Sequence, residues 1–369
     1  MQANRSYERY HRQIILKGFG IGAQQKLTGA RVLVVGAGGL GCPVLMALTG
    51  AGVGTIGIAD DSRVELSNLH RQFLYTTHDI GKPKTGCAKA ALEAMNPDVS
   101  IVAYHTHLTN SVALEIIRDY DIVIDGTDNF QTRYMLNDAC ALTGKPLVYG
   151  AVSRFEGQVA VFNGHVNYRD LFPHPPKSGE VSNCSEAGVL GVLPNLIGNF
   201  MANECIKLIT GTGETLSGKM LTYSALDNNV FIIDITPTAE GFTLLPKSAT
   251  DFLRMDYPSL CGVLNDESIE IDAKEFSRLV SSGDISVIDV REEEEMPSLK
   301  NLSYRRIPLS FLLKNIDGLK EGAVVFICQS GKRSLQAART YRDADIANHG
   351  QTYSLKDGVN GLITQGLFV

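Results

Sequence analysis

Arg31-Val-Leu-Val-Val-Gly36-Ala-Gly38-Gly39-Leu-Gly41 decides how this chain is read. Val32 to Val35 is a Val-rich apolar run, the pattern of a buried strand. It leads directly into Gly36-x-Gly38-x-x-Gly41, and the segment from Pro43 to Leu48 is compatible with a helix. This glycine spacing suits a nucleotide-binding βαβ turn. The first Gly permits the tight turn, the second lets phosphate approach backbone N–H groups, and the third lets the helix pack on the strand. A second strand, Gly54 to Ala59, ends at Asp60, about 20 residues on, where a carboxylate can take ribose hydroxyls. Taken alone, the pattern also suits NAD or FAD, so an NAD-dependent oxidoreductase is one class it leaves open.

Working outward, a length of 369 residues predicts two domains. Hydrophobic residues make up 44% and charged residues 20%, as in an ordinary globular protein, and the net charge of −6 argues against a nucleic-acid partner. Val32 to Ala59 carries no charge and is long enough to span a bilayer. Its glycines and its closure by Asp60 favour βαβ instead, so no membrane span is expected. Seven cysteines without a CxxC pair suit a reducing compartment, and the N-terminal residues lack the apolar core of a signal peptide. The expected location is cytoplasmic.

Three further segments follow the turn in order: Ser67-Asn68-Leu-His-Arg71-Gln72, Gly81-Lys-Pro-Lys84 and Asp125-Gly-Thr-Asp128-Asn129. Together with Arg9-Tyr-His-Arg12-Gln upstream, they make the chain from about Tyr7 to about Asp234 resemble a known adenylating domain. It is that of the family activating ubiquitin-like and sulfur-carrier proteins, whose bacterial members are the MoeB and ThiF adenylyltransferases. The resemblance implies an α/β fold, a Rossmann-like doubly wound sheet of the activating-enzyme type. It implies an ATP site built from Gly36, Gly38, Gly39, Gly41, Asp60, Ser67, Asn68, Arg71, Gln72, Lys84, Asp128 and Asn129. It also implies a homodimer in which Arg12 reaches in trans into the partner's ATP site.

Elementary chemistry agrees. Adenylating a carboxylate requires charge neutralisation at the α-phosphate, which Arg71 and Lys84 can supply. Asn68 and Gln72 are neutral groups able to orient phosphate or ribose, and Asp128, beyond a strand at Tyr120 to Ile124, is placed to hold Mg²⁺. An oxidoreductase leaves Arg71, Lys84 and Asp128 unexplained. One departure is Ser62, where the family has a second acid.

Tyr7 to Leu27 and Leu193 to Ile209 read as amphipathic helices. Cys184, in Asn183-Cys-Ser-Glu-Ala-Gly188, matches the family segment whose thiol accepts an acyl group or sulfur; its alternative is a small buried hydrophobe. Family members often hold zinc with two CxxC pairs. Here Asn167-Tyr-Arg-Asp170 stands at the first and only Cys261 lies near the second, so no zinc is expected.

Residues 1–246 are thus expected to form the adenylation domain, 247–268 a linker, and 269–369 a small second α/β domain. In the latter, Ser286 to Glu292 reads as a strand ending in charge. Ala323 to Cys328 reads as another, followed by a Gly-containing loop and a helix, Leu335 to Arg342. A Cys at a strand end before a helix N-terminus meets converging N–H groups that favour a thiolate. Ile288-Asp-Val-Arg-Glu292 and Cys328-x-x-Gly331-x-Arg333-Ser334 resemble the rhodanese family, whose Cys carries a persulfide. The resemblance implies a sulfur loop of Cys328, Gly331, Arg333 and Ser334, with Arg333 and Lys332 favouring an anionic donor or product. The family's Gly-His-Ile-Pro-Gly-Ala segment is replaced by Ser298 to Tyr304.

The two halves imply one enzyme, an adenylyltransferase with sulfurtransferase activity. ATP and Mg²⁺ would activate the C-terminal glycine of a small ubiquitin-like sulfur carrier ending in Gly-Gly, of the molybdopterin-synthase small-subunit type. A Cys328 persulfide, charged by a donor such as a cysteine desulfurase, would then yield a thiocarboxylate. The same chemistry on the thiamine-pathway carrier, or a non-catalytic scaffold that binds a carrier, remain alternatives.

Overall fold

Val32, Leu33, Val34 and Val35 are buried on both faces of their strand, the signature of the centre of a parallel sheet. The computed structural model describes residues 2–176, 188–261, 269–283, 285–314, 323–343 and 351–367. The chain divides into two units, Met1–Cys261 and Gly262–Val369.

The first unit is built on an eight-stranded sheet. In chain order its strands are β1 (Arg31–Val35), β2 (Thr55–Ala59), β3 (Ser100–Tyr104), β4 (Ile122–Asp125), β5 (Leu147–Ser153), β6 (Glu156–Phe162), β7 (Lys219–Ser224) and β8 (Val230–Asp234). Their spatial order is β3-β2-β1-β4-β5-β6-β7-β8. The first five are parallel, with Val34 paired to Ile58 on one side and Ile124 on the other. From β5 onward the pairing is antiparallel. Strand order reverses at β1, so a crevice opens beyond the carboxyl ends of β1 and β4.

Alternation along β1 feeds two cores. Val32 and Val34 pack with Leu45 and Leu48 of helix Gly41–Ala51 and with Ile197 and Met201 of helix Leu193–Thr210. Leu33 and Val35 belong to the opposite core with Ile117, Tyr120, Leu136 and Ala139.

Two expectations change. The single helix read from Tyr7 to Leu27 is two, Gln2–Ile14 and Gly20–Gly29. Gly18 and Gly20 between them take φ of 91° and 68°, which only glycine adopts without strain. The stretch read as a linker over 247–268 contains helices Ala249–Arg254 and Tyr257–Leu260, whose Phe252 and Tyr257 are buried in the second core. Asn110 Nδ2 donates to the carbonyls of Phe252 and Met255, and Tyr257 Oη donates to Asp138, so the first unit continues to Cys261.

The second unit carries five parallel strands: β9 (Glu270–Ile271), β10 (Ile285–Asp289), β11 (Arg305–Arg306), β12 (Ala323–Ile327) and β13 (Thr352–Leu355). Their order is β11-β10-β12-β13-β9, with apolar clusters on both faces. Among the described residues, no helix is long and apolar enough to cross a membrane.

Candidate functional site

The glycine turn lies in the crevice between β1 and β4, and sterics account for its composition. Gly36 has φ of 89°, and a Cβ there would stand 2.7 Å from the Gly126 carbonyl oxygen. Gly126 in turn donates to the Val35 carbonyl at 2.8 Å, so the two strand ends touch. A Cβ on Gly41 would lie 1.9 Å from the Gly36 oxygen, which lets the helix begin hard against the turn. Gly38 and Gly39 face the second segment: their Cβ positions would be 3.7 Å from Gln72 Nε2 and 3.5 Å from Arg71 Cδ. Asp60 was expected to meet ribose. Its two oxygens accept the Ala37 and Ser62 N–H groups, each at 2.7 Å, so its first task is to hold the turn.

Around this turn the sequence-predicted residues fall into two groups. Gln72 is only 3% exposed, and among the described residues its Oε1 has no hydrogen-bond partner. A buried carbonyl left unpaired costs about 1–3 kcal/mol, so this oxygen is open to a donor. Lys84 begins helix Lys84–Met95, is buried, and has no ion-pair partner among the described residues. Burial pushes the Cys42 thiol up to about 12 while the Lys84 charge pulls it down, which places the ammonium close to the helix that follows the turn. A desolvated ammonium of this kind calls for an anion. An orphaned acceptor, an unpaired cation and a turn cleared of side chains fit a nucleotide polyphosphate.

Several of the remaining predicted residues are engaged in local structure in this geometry. Asn68 Oδ1 accepts the Glu65 N–H at 3.1 Å, and Ser67 Oγ donates to Glu65 at 3.1 Å, so both shape the short helix before Arg71. Arg71 Nη1 donates to the Ser67 carbonyl at 2.9 Å. Asn129, expected to contact nucleotide, caps helix Phe130–Thr143 by accepting the Thr132 N–H. Asp128 is exposed just beyond the Gly126–Thr127 turn. Arg12 is exposed in the last turn of helix Gln2–Ile14 and makes no hydrogen bond or ion pair with the glycine turn. Cys184 lies outside the described residues.

Sequence reasoning missed the support beneath Asp128. Asp125 is fully buried and accepts from Thr127 N–H at 3.0 Å, Thr127 Oγ1 at 2.6 Å and Arg133 Nε at 3.4 Å. Burial pushes its carboxyl above the ordinary value, opposed by the Arg133 charge and the Thr127 donors. Arg133 also donates to the Thr127 carbonyl and lies 4.9 Å from the Tyr149 ring centre. No short-range pattern marks Arg133. At the positions considered for zinc, Asp170 accepts the Thr238 N–H at 2.7 Å and the Asn167 N–H at 2.8 Å.

In the second unit, Cys328 follows β12 and is 1% exposed. Its Sγ donates to Ser334 Oγ at 3.5 Å, and that hydroxyl donates to the Gly331 carbonyl at 2.9 Å and accepts from Ser354 Oγ at 3.0 Å. Gly331 takes φ of 86°, and a Cβ on Gly358 would stand 2.2 Å from the Cys328 oxygen, so the loop lies directly on helix Gly358–Thr364. Asp289 is buried between Arg291 and Arg306, and Arg291 also donates to Gln329 of the loop. Arg333, expected to favour an anionic donor or product, forms a two-pronged pair with Glu295 at 2.6 and 2.7 Å.

Residues 10–241 match the ThiF family, and residues 272–364 match the rhodanese-like domain. The chain belongs to the ThiF family. Over 263 residues it is 53% identical to a sulfur carrier protein adenylyltransferase of Thermus thermophilus, covering 69% of this chain and 97% of that protein. Over 359 residues it is 39% identical to a probable adenylyltransferase/sulfurtransferase, MoeZ, of Mycobacterium tuberculosis, covering 92% of this chain and 89% of the relative. Similarity to that protein therefore extends across both the ThiF-family unit and the rhodanese-like one. Among solved structures, PaaA shares the fold with a TM-score of 0.55 at 23% identity, over 63% of this chain and 75% of its own.

Proposed function

We propose that the first unit adenylates the C-terminal carboxylate of a small sulfur-carrier protein and that the second supplies the sulfur. The observation that carries the first half is the buried Lys84, unpaired among the described residues, beside a glycine turn at the switch point, with Gln72 Oε1 lacking a donor. ATP is the substrate this arrangement fits. The carrier's terminal carboxylate attacks the α-phosphorus and pyrophosphate leaves. Arg71 and Lys84 stabilise the charge that builds on the α-phosphate oxygens. Asp128, an exposed carboxylate at the strand end, suits Mg²⁺, which is commonly held by one or two carboxylates plus phosphate oxygens. When bound, the ion would neutralise charge on the phosphates.

The outer sulfur of a Cys328 persulfide then attacks the acyl-adenylate carbonyl and AMP departs, leaving an acyl disulfide; a thiol then attacks the Cys328 sulfur of that disulfide, forming a new disulfide with Cys328 as the thiocarboxylate leaves. Cys184 is proposed as an acyl- or sulfur-accepting thiol, and Arg12 as a group contributed in trans within a homodimer. The carrier is proposed to end in Gly-Gly, the sulfur to come from a cysteine desulfurase, and the enzyme to work in the cytoplasm.

The test is carrier-dependent exchange of labelled pyrophosphate into ATP, using carriers from the molybdopterin and thiazole pathways. Exchange with one of them establishes adenylation and identifies the pathway. Arg71→Ala and Lys84→Ala should each lower exchange about 100-fold or more. Cys328→Ala should retain exchange and lose thiocarboxylate. ATP binding without exchange for any carrier would instead favour a scaffold.

A further inference from the structure

The loop after Cys328 presents two cations in sequence, yet the geometry leaves only one of them available. Both Nη atoms of Arg333 donate to the Glu295 carboxylate at 2.6 and 2.7 Å. That carboxylate also accepts the Glu292 N–H at 2.9 Å, while the Glu295 N–H returns to the Glu292 carbonyl at 3.1 Å. The acidic turn is therefore closed on itself. Arg306 fastens it from the sheet side, donating to the Glu293 carbonyl at 2.7 Å and to Asp289 at 2.9 Å. Arg291 is committed to Asp289, Gln329 and the Pro297 carbonyl. What remains is Lys332, which is exposed, as are Glu292, Glu293 and Glu294 of the acidic turn. The Arg333 guanidinium and the Glu292 amide hold the Glu295 carboxyl down at about 2, so it stays ionised across the working range.

We propose that Glu295 is a specificity-determining residue of the Cys328 site: by neutralising Arg333 it turns the site away from small dianionic sulfur donors and toward persulfides. The inference rests on the reading of Cys328 as a persulfide carrier. The two donor classes make different demands. With thiosulfate, the Cys328 thiolate attacks the sulfane sulfur, the S–S bond to the sulfonate breaks, and sulfite leaves as a dianion with the bonding pair. With a persulfide R–S–SH, the thiolate attacks the outer sulfur and R–S⁻ leaves as a monoanion, giving the same Cys328 persulfide. A departing dianion gains from a planar guanidinium that can bind it in two bonds, and here the Arg333 guanidinium already holds a carboxylate in that way, leaving Lys332 as a single point charge. A thiolate leaving group makes no such demand.

The experiment uses the full chain, with thiosulfate or cysteine persulfide as donor and cyanide as acceptor, reading thiocyanate. Glu295→Gln should lower the thiosulfate KM about tenfold, the effect of one additional charge-assisted hydrogen bond to the donor. The KM for cysteine persulfide should move less than about twofold, because that donor does not call on Arg333. Adding Arg333→Gln to Glu295→Gln should abolish the gain. A thiosulfate KM that is unchanged or higher in Glu295→Gln overturns the proposal, as does a gain that survives loss of Arg333. Loss of turnover with both donors in Glu295→Gln would make Glu295 a strut for the loop, and it overturns the proposal too. Failure of the persulfide reading itself is seen separately: Cys328 of the wild type would gain no sulfur atom by mass spectrometry with either donor.

Discussion

Replacing Arg133 by Met isolates the support beneath the nucleotide crevice. Met keeps apolar bulk against Phe130, Tyr149 and Tyr168, whose ring centres lie 5.7, 4.9 and 5.9 Å from the guanidinium, but removes the cation. Asp125, fully buried, then loses its only ion-pair partner among the described residues and keeps the Thr127 donors alone. Breaking one side of a buried pair costs about 3–5 kcal/mol, because the remaining charge is left uncompensated. Removing the cation–π attraction adds about 1–2 kcal/mol, which Met packing partly offsets, so roughly 4 kcal/mol is expected.

The pH dependence has a definite sign. Without Arg133, the folded-state pKa of Asp125 rises further above its unfolded value of 3.8, so the fold favours the protonated acid. Stability is then greatest below about 3.8 and is lost as pH rises toward the raised folded value, by up to about 1.4 kcal/mol per unit. The assay is native-state hydrogen exchange of β1 and β4 amides at pH 5.5 and 8, which reports the first unit alone. Nucleotide binding should weaken in parallel, since Arg133 also holds the Thr127 carbonyl beside Asp128. A variant within about 1 kcal/mol of wild type, with an unchanged pH profile, would refute the reasoning.

Gly41→Ala forces a Cβ to within 1.9 Å of the Gly36 oxygen, so titration calorimetry should show ATP binding lost and the unit destabilised by about 1–3 kcal/mol or more; wild-type affinity would contradict the steric argument. Phe252→Ala should destabilise the first unit by about 3–5 kcal/mol, and a chain ending at residue 246 should lose amide protection relative to one ending at 261. Equal protection in the two truncations would separate residues 247–261 from the packing of the first unit. Burial raises the Cys140 and Cys205 thiols as it does Cys42, so iodoacetamide at pH 8 should leave all three unmodified in the native protein; rapid labelling of any of them would place it nearer solvent. Glu295, ordinarily near 4.5, is held at about 2 in the fold, so its contribution to the second unit is present above 4.5 and fades as pH falls toward 2. Acid titration of hydrogen exchange should show that loss, and Glu295→Gln should flatten it.

The sequence by itself determined the elements whose cause is local. A Val-rich run before glycines at fixed spacing makes a buried strand and a phosphate-type turn, because side-chain alternation and φ freedom act within a few residues. The Cys328 loop before its helix was legible for the same reason, whereas the segments around Arg71, Lys84 and Asp128 were read through their resemblance to a known family. The break between the first two helices turned on Gly18 and Gly20, and the amphipathic pattern running through them concealed it. Tertiary structure alone decided which charges remain free. Glu295 takes Arg333 from 38 residues away, Arg133 takes Asp125, and Asp60 is engaged by the Ala37 amide across the β1–β2 connection. It also decided that Phe252 and Tyr257 belong to a core of the first unit rather than to a linker. Sequence composition names the groups that can pair, but strand order and burial determine which of them meet, and therefore which cations are left for a ligand.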